Sequence, residues 1–487
     1  MDNYDADVII VGAGPTGLML AGELGLHKVS VVVLDRLAEP MRQSRALGFS
    51  ARTIEEFGQR GLLSRLGAVD VIPVGHFGGV PLDYRVLSGG SYGARGIPQS
   101  RTEAMLAGWA ADNGARTRRS VEVTGLAQDD DGVTVSVSGV DGGELRARYV
   151  IGCDGARSVV RGAAGIGFPG TEPTVELRFA DVSGVQLRPR FSGERVPGGM
   201  IMVLPLGPDR CRIIYYDRDE PLRESAEPIT FDEITDTFQK LSGEDISAAT
   251  PSWVSSTTDV SRQAAEYRRG RVFVAGDAAH VHLPIGAQGM SAGVQDAVNL
   301  GWKLALVLKG QAPEGLLDTY HTERHPVGAR ILTNTLAQRT LYLGGEEITP
   351  LTDVFTELTR YESVRRHLVG MVTGLDIRHD VGPGGHPLLG RRLEDGELTG
   401  EGRRTTVHEL LRGGRGLLLD LGGDGALPDT AKPWSDRVDT VRVERGEKLP
   451  VVDAILLRPD GYVAWITPDQ GGSTLSEALE HWFGPAA

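Results

Sequence analysis

At 487 residues the chain is too long for one ordinary hydrophobic core, so two or three domains are expected. Its formal charge of -14 argues against nucleic-acid binding, which needs a basic face. A composition of 40% hydrophobic and 24% charged residues is that of a globular protein, and no apolar stretch is long enough to span a bilayer.

The acidic start, Met1-Asp-Asn-Tyr-Asp-Ala-Asp7, runs straight into a strand and does not read as a signal peptide. Cys153 and Cys211 form neither a disulfide framework nor a metal-ligand spacing. The expectation is a soluble, cytoplasmic, multidomain protein without a metal site.

Val8-Ile-Ile-Val11 is an apolar strand, broken by Gly12-Ala-Gly-Pro-Thr-Gly17. A helical pattern follows through Leu18, Leu20, Ala21 and Leu24, then a second buried run, Val29-Ser-Val-Val-Val-Leu34, ending at Asp35. This is a β-α-β unit of about 30 residues, as a parallel sheet requires. Gly12 allows the tight turn, Gly14 lets backbone approach a pyrophosphate, and Gly17 lets helix pack on strand. Pro15 and Thr16 open the helix, whose N-terminus faces the phosphates with unpaired N–H groups. Asp35 sits where a carboxylate accepts hydrogen bonds from the adenosine ribose. This motif binds a dinucleotide and does not separate FAD from NAD.

Residues 121–126 and 133–137 flank an acidic turn, a hairpin whose tip (Asp129 to Asp131) is read as a solvated face. Tyr149-Val-Ile151 then leads into Gly152-Cys-Asp154-Gly155-Ala-Arg-Ser158-Val-Val-Arg161. From 179 to 260 short alternating runs, such as Met200-Ile-Met-Val-Leu204 and Cys211-Arg-Ile-Ile-Tyr-Tyr216, read as an inserted antiparallel sheet. The parallel pattern returns at Arg271-Val-Phe-Val-Ala-Gly276-Asp277-Ala-Ala-His280. A long helix follows with Val294, Ala297, Val298, Gly301, Leu304, Ala305 and Leu308 on one face, and helical sequence continues to roughly Gly374. Val381-Gly-Pro-Gly-Gly-His-Pro387 reads as a linker before a small α/β segment closed by a helix at 475–483. The division is 1–178 (including a substrate-facing stretch at 72–100), 179–260, 261–380 and 388–487. The second and third motifs each place a carboxylate and a glycine at the C-terminal end of a strand, where open α/β sheets bind ligands. Either alone reads as a strand-to-helix turn with an Asp cap.

Together, in this order, the three motifs resemble the class A flavoprotein monooxygenases, the group containing p-hydroxybenzoate hydroxylase. The resemblance continues through Ser44-Arg-Ala-Leu-Gly-Phe-Ser-Ala-Arg-Thr53, Ile97-Pro-Gln-Ser100, His282-Leu-Pro-Ile-Gly-Ala-Gln-Gly-Met-Ser291 and Gln295-Asp-Ala-Val-Asn-Leu-Gly-Trp-Lys303. These stretches are similar to the subgroup that oxygenates aromatic polyketides, the angucycline and anthracycline oxygenases, with rifampicin monooxygenase a further relative. The resemblance covers essentially the whole chain. It implies an α/β fold: a Rossmann-type FAD-binding domain, an inserted, mostly antiparallel substrate sheet, and a C-terminal thioredoxin-like domain lacking Cys-x-x-Cys.

The cofactor implied is FAD, with NADPH as co-substrate and O2 as oxidant. Asp35 and Arg36 would hold the adenosine end, and Arg45 and Gln99 the phosphates or ribityl chain. Val123 would meet the adenine by backbone. Asp154 and Gly155 would lie near the pyrophosphate, Asp277 at the ribityl hydroxyls, and Pro284, Gly286, Gly289, Met290 and Ser291 around the isoalloxazine. A helix expected to begin near Ser291 would aim its positive end at the pyrimidine ring, where reduced flavin carries negative charge.

Relatives carry Gly-Gly-Gln-Gly-Met/Leu-Asn where this chain has Gly286-Ala-Gln-Gly-Met-Ser291, so flavin placement is expected to differ slightly. The turn Leu26-His-Lys-Val29 lacks the usual glycine, a matter of stability more than chemistry. No second GxGxxG follows a strand, consistent with transient NADPH docking.

The activity implied is hydroxylation of a polycyclic aromatic polyketide, the oxygen delivered by a flavin C4a-hydroperoxide. A Baeyer–Villiger oxygenase acting on a polyketide ketone uses the same motifs, and a flavin-bound protein that performs no oxygenation is the remaining alternative. A flavin halogenase is excluded, since no two of the six Trp stand two residues apart. Tyr216 (beside Tyr215) and Arg378 are the substrate-side candidates; for each, a core, interface or surface role is the plainer reading. His280 and His282 flank the flavin loop without a ligand-spaced Cys or carboxylate. The expected partners are the polycyclic substrate, NADPH and O2, with no nucleic acid and no membrane; a homodimer stays open.

Overall fold

Val8, Ile9 and Ile10 are fully buried, which places β1 (Ala6–Val11) inside a sheet covered on both faces. The computed structural model describes residues 4–41, 43, 46–87, 94–139, 142–223, 228–400, 403–422, 427–444 and 449–487. Arg45 and its neighbour Ser44 lie outside the described residues. α1 (Pro15–Leu26) begins with Pro15 at its first positions, where the missing N–H has no partner to lose. β2 (Val31–Asp35) then pairs parallel with β1, completing the expected β-α-β unit. The glycine-free turn between them is closed by Lys28 in the left-handed region, φ 64°.

α2 (Gln99–Asp112) lays Trp109 across α1, against Gly22. β3 (Gly143–Gly152) pairs parallel with β1, and β4 (Val272–Val274) parallel with β3. The sheet therefore runs Arg268–Arg269, β4, β3, β1, β2, Arg116–Arg119, with the 121–139 hairpin attached to β3. Arg116–Arg119 is a strand that apolar periodicity does not announce. It is an edge strand, whose backbone pairs with β2 while its long polar side chains reach solvent.

Five strands form a separate sheet in the order Arg190–Val196, Gly199–Gly207, Arg210–Asp217, Glu176–Ser183, Thr250–Thr258, all neighbours antiparallel. Strand alternation sends Ile201, Val203, Ile213 and Tyr215 onto the Phe231–Ser242 helix. The intervening Met200, Met202, Ile214 and Tyr216 face the other way.

α3 (Gln288–Leu308) lies nearly wholly buried against α1, and α4 (Asp318–Leu343) crosses it. No helix among the described residues is long and apolar enough to cross a membrane.

The last sheet runs Val438–Arg442, Gly416–Asp420, Ala454–Leu457, Val463–Thr467, the first pair parallel and the rest antiparallel. The Leu475–Phe483 helix covers it with Leu479, Trp482 and Phe483, and Trp302 of α3 joins the same core. Beside that core Arg458 reaches Glu323 of α4 and Asp460, with Lys303 on the same Glu323 carboxylate.

Candidate cofactor and substrate site

Two of the three motif glycines are fixed by the protein's own packing. Gly12 has φ 107°, and a Cβ there would overlap the Cys153 carbonyl oxygen; a Cβ at Gly17 would overlap the oxygen of Gly12. Gly14 is different. A Cβ on Gly14 meets nothing within 4 Å, and neither does one on Gly155, at φ 82°. These open positions stand at the ends of β1 and β3, before the first N–H groups of α1, a cradle that fits a pyrophosphate. Gly14 already has an extended backbone, φ -80°. Gly14→Ala is thus expected to leave the melting temperature of the cofactor-free protein unchanged and to weaken FAD binding about tenfold or more, about 1.4 kcal/mol. Fluorescence titration of free FAD against a thermal melt separates the two.

Asp35 closes one side of the cradle. Its Oδ2 accepts from the Ala13 N–H at 2.7 Å and its Oδ1 from the Leu37 N–H at 2.8 Å, while Arg36 is exposed beside it. Val123 is buried in one core with Leu34 of β2, which brings the hairpin backbone alongside the same strand ends. Gln99 opens α2; its N–H bonds the Ala46 carbonyl and its side chain bonds Glu103.

The Asp154 Oδ2 accepts from the N–H groups of Val159 and Val160, at 2.7 and 3.1 Å. Burial raises its carboxyl. That oxygen caps a short helix, so the open face of the second motif is the Gly155 backbone. Arg161 donates to the carbonyls of Ala156 and Ala278, 2.9 Å each, tying the second motif to the third, and its guanidinium lies 3.6 Å from the Phe168 ring centre.

Thr16 turns inward, its hydroxyl wedged where Gly276 and Gly293 leave room for no Cβ. It joins the first motif, the third motif and α3, a packing role not expected of a cofactor contact. Asp277 is exposed at the turn. Beneath it, Asp296 of α3 accepts from the Gly276 N–H at 3.1 Å, stands 2.7 Å from His280 Nε2, and accepts from Arg324 Nε at 2.7 Å. Burial alone would raise the Asp296 carboxyl, but Arg324 and His280 outweigh it and hold it at about 2. His280 thus has a carboxylate partner after all, 16 residues along the chain.

The helix expected to begin near Ser291 begins three residues earlier, at Gln288, because Gly286 at φ 73° turns the chain just ahead of it. Gln288, Gly289 and Met290 therefore open the first helical turn, where N–H groups lack intrahelical acceptors, and Ser291 follows them. Pro284 and Gly286 are exposed on the preceding loop. Ser291 is 2% exposed, and its Oγ accepts from the Ser50 N–H at 3.0 Å, so the shorter side chain anchors α3 to the 46–53 segment.

Leu283 and Ile285 of this loop share a core with Leu177, Met200, Tyr216 and Tyr342, flanked by Met202 and Ile214. This face of the five-stranded sheet thus packs on the loop as one buried apolar wall. Tyr216 belongs to it, with its phenol raised by burial; Tyr215 faces the opposite core, where burial pushes its phenol up to about 12. Arg378 is not in this wall. It donates to the Leu389 carbonyl and lines a cavity of about 240 Å³ with Gln288, Ser291, Asn334 and His379. The structure does not bring the two substrate-side candidates together.

Residues 5–335 match the FAD binding domain family, and residues 386–486 match the C-terminal region of the aromatic-ring hydroxylases. The chain belongs to the FAD-dependent aromatic-ring hydroxylases. This hydroxylase is 42% identical over 502 residues, 99% of each chain, to the 12-dehydrotetracycline 5-monooxygenase/anhydrotetracycline 6-monooxygenase of Streptomyces rimosus subsp. rimosus. Among solved structures it is similar to AlpK (69% identity, TM-score 0.93) and to CabE, an aromatic hydroxylase from angucycline biosynthesis (52% identity, TM-score 0.96). Both superpose over 99% of this chain and 100% of theirs. The hydroxylase is accordingly a flavoprotein monooxygenase of the class A, aromatic polyketide group.

Asp296, Arg324 and Arg161 were not legible as positioning groups in the sequence. The available signal was polar spacing: Asp296, Asn299 and Lys303 recur along a helix read as apolar, and all three are buried.

Proposed function

We propose that the hydroxylase consumes NADPH and O2 to place one oxygen atom on a ring carbon of a polycyclic phenol of angucycline or anthracycline type. The observation that carries this reading is the apolar wall of Leu177, Met200, Met202, Ile214 and Tyr216, lying directly on the Leu283–Ile285 loop in front of α3. A multi-ring substrate needs such an apolar, water-excluding lining beside the flavin. The relatives named for tetracyclines and angucyclines support the same substrate class.

FAD, when bound, accepts the hydride and activates oxygen. The chain's part is placement. The Gly14 and Gly155 backbones and the α1 N-terminus receive the pyrophosphate, Asp35 and Arg36 the adenosine ribose, and Asp277 the ribityl hydroxyls. The first-turn N–H groups of α3 would face the flavin pyrimidine ring and favour negative charge there. Tyr216, a buried phenol on this wall, donates a hydrogen bond to a substrate oxygen. The C-terminal sheet and helix are read as a thioredoxin-like domain; both cysteines lie outside it, so its role is docking and not dithiol exchange.

The test is NADPH consumption by the flavin-loaded protein, with and without an angucycline or anthracycline aglycone, under labelled oxygen. One labelled oxygen on a ring carbon is expected. Label in a new lactone would move the assignment to Baeyer–Villiger chemistry. No stimulation by any polycyclic phenol would overturn it.

A further inference from the structure

A continuous chain of buried side-chain amides runs along α4 outside the residues assigned to cofactor or substrate. The Gly78 N–H donates to Gln338 Oε1 at 3.2 Å, Gln338 Nε2 to Asn334 Oδ1 at 3.0 Å, and Asn334 Nδ2 to Gln288 Oε1 at 2.8 Å. Gln338, Asn334 and Gln288 are 0%, 2% and 4% exposed, so each bond is shielded from water. The two ends matter. Gly78 is the tip of the hairpin made by Val74–Phe77 and Val80–Asp83, and Gln288 is the first residue of α3 in the flavin loop.

An amide chain of this kind has a direction. Each carboxamide accepts with its oxygen on one side and donates with its nitrogen on the other, so orienting one orients the next. The last member, Gln288, has given its oxygen to Asn334. Its Nε2 is buried with no partner among the described residues and lies 3.2 Å from where a Gly286 Cβ would stand, so it faces the flavin loop. An unmatched buried donor is costly, and a ligand acceptor at the flavin loop would complete this one.

The hairpin end has its own tie to the substrate wall. The His76 ring stacks on Tyr342 at 5.5 Å, and Gly79 lies against the same tyrosine, which belongs to the core holding Tyr216, Leu283 and Ile285. Tyr342 thus touches both that wall and the hairpin tip.

We infer that Gln338 and Asn334 are positioning residues that hold the Gln288 amide N–H toward the flavin and couple the 74–83 hairpin, and with it the substrate wall, to the flavin loop. The substrate half of this inference rests on the proposed function; the flavin half does not.

The experiment compares Gln338→Met and Asn334→Leu, near-isosteric apolar replacements, with Thr333→Ala on the exposed face of the same helix. The primary readout is the visible circular dichroism of bound FAD without substrate, alongside FAD stoichiometry and the thermal melt. Both chain-breaking variants are expected to bind one FAD and to alter the flavin dichroism in the same direction; Thr333→Ala matches wild type. A lowered melting point with unchanged flavin dichroism in both would reduce the chain to packing and overturn the inference.

In the second readout, a polycyclic phenol that perturbs the wild-type flavin spectrum is expected to lose at least tenfold of its stimulation of NADPH oxidation in Gln338→Met. Equal stimulation in wild type and variant would overturn the substrate coupling. Failure of every phenol on wild type would instead strike the proposed function, leaving the flavin dichroism to decide.

Discussion

Asp296→Ala is expected to yield protein that purifies colourless and melts far below wild type. Asp296 is fully buried and carries three partners at once: the Gly276 N–H, His280 and Arg324. Removing it leaves a buried guanidinium with no carboxylate, and breaking a buried pair in this way costs about 3–5 kcal/mol. It also frees the turn that carries Asp277, so FAD affinity falls together with stability.

Asp296→Asn retains the acceptor for Gly276 but not the charge, and is expected to recover part of the FAD binding and less of the stability. The pH dependence follows the same charge. The folded-state carboxyl is held at about 2, below its ordinary value of 3.8, so the stabilisation is present above the ordinary value and is lost as pH falls toward 2. Melting curves of wild type and Asp296→Asn between neutral and acid pH are expected to converge in that window; parallel curves would contradict the assignment.

Arg458→Ala is the second large effect, in the adjoining buried cluster on α3 and α4. Arg458 is fully buried between Glu323 of α4 and Asp460 of the C-terminal sheet, with 2.9 Å to Glu323 Oε2 and 3.0 Å from its Nε to Asp460 Oδ1, and its guanidinium 4.4 Å from the Trp482 ring centre. Burial alone would raise the Glu323 carboxyl, yet Arg458 and Lys303 hold it well below the carboxylate range. Truncation leaves two buried carboxylates sharing one lysine.

The expected loss is again about 3–5 kcal/mol, seen in calorimetry as an earlier transition for the 386–486 region. Cofactor binding should survive, because none of these groups lies in the FAD cradle. A variant with an unchanged melt would show that the two parts do not depend on this cluster for docking.

The strand–helix–strand frame of the proposed cofactor site was legible because its parts are local. Gly12, Gly14 and Gly17 and the strand–helix–strand periodicity sit within one short segment, and backbone sterics alone demand small residues there. The long helix was legible too, though its start was not. Ser291 resembles an N-cap, but Gly286 supplies the left-handed turn that lets helix form from Gln288, and only the packing of that loop reveals it.

The substrate half was legible only in outline. Alternation along Cys211-Arg-Ile-Ile-Tyr-Tyr216 says that Tyr215 and Tyr216 face opposite ways, but not which face meets the flavin loop. Arg378 holds the Leu389 carbonyl and lines a cavity with Gln288 and Ser291, apart from the Tyr216 cluster.

By itself the sequence determined the first strand–helix–strand unit and the strands of the antiparallel sheet, because those depend on short-range sterics and on periods of two or 3.6 residues. Only the tertiary structure decided the partners of Asp296, Arg324, Arg458, Asn334 and Gln338. Each buried polar group must find its complement across tens to hundreds of residues, and no local pattern encodes which one it meets.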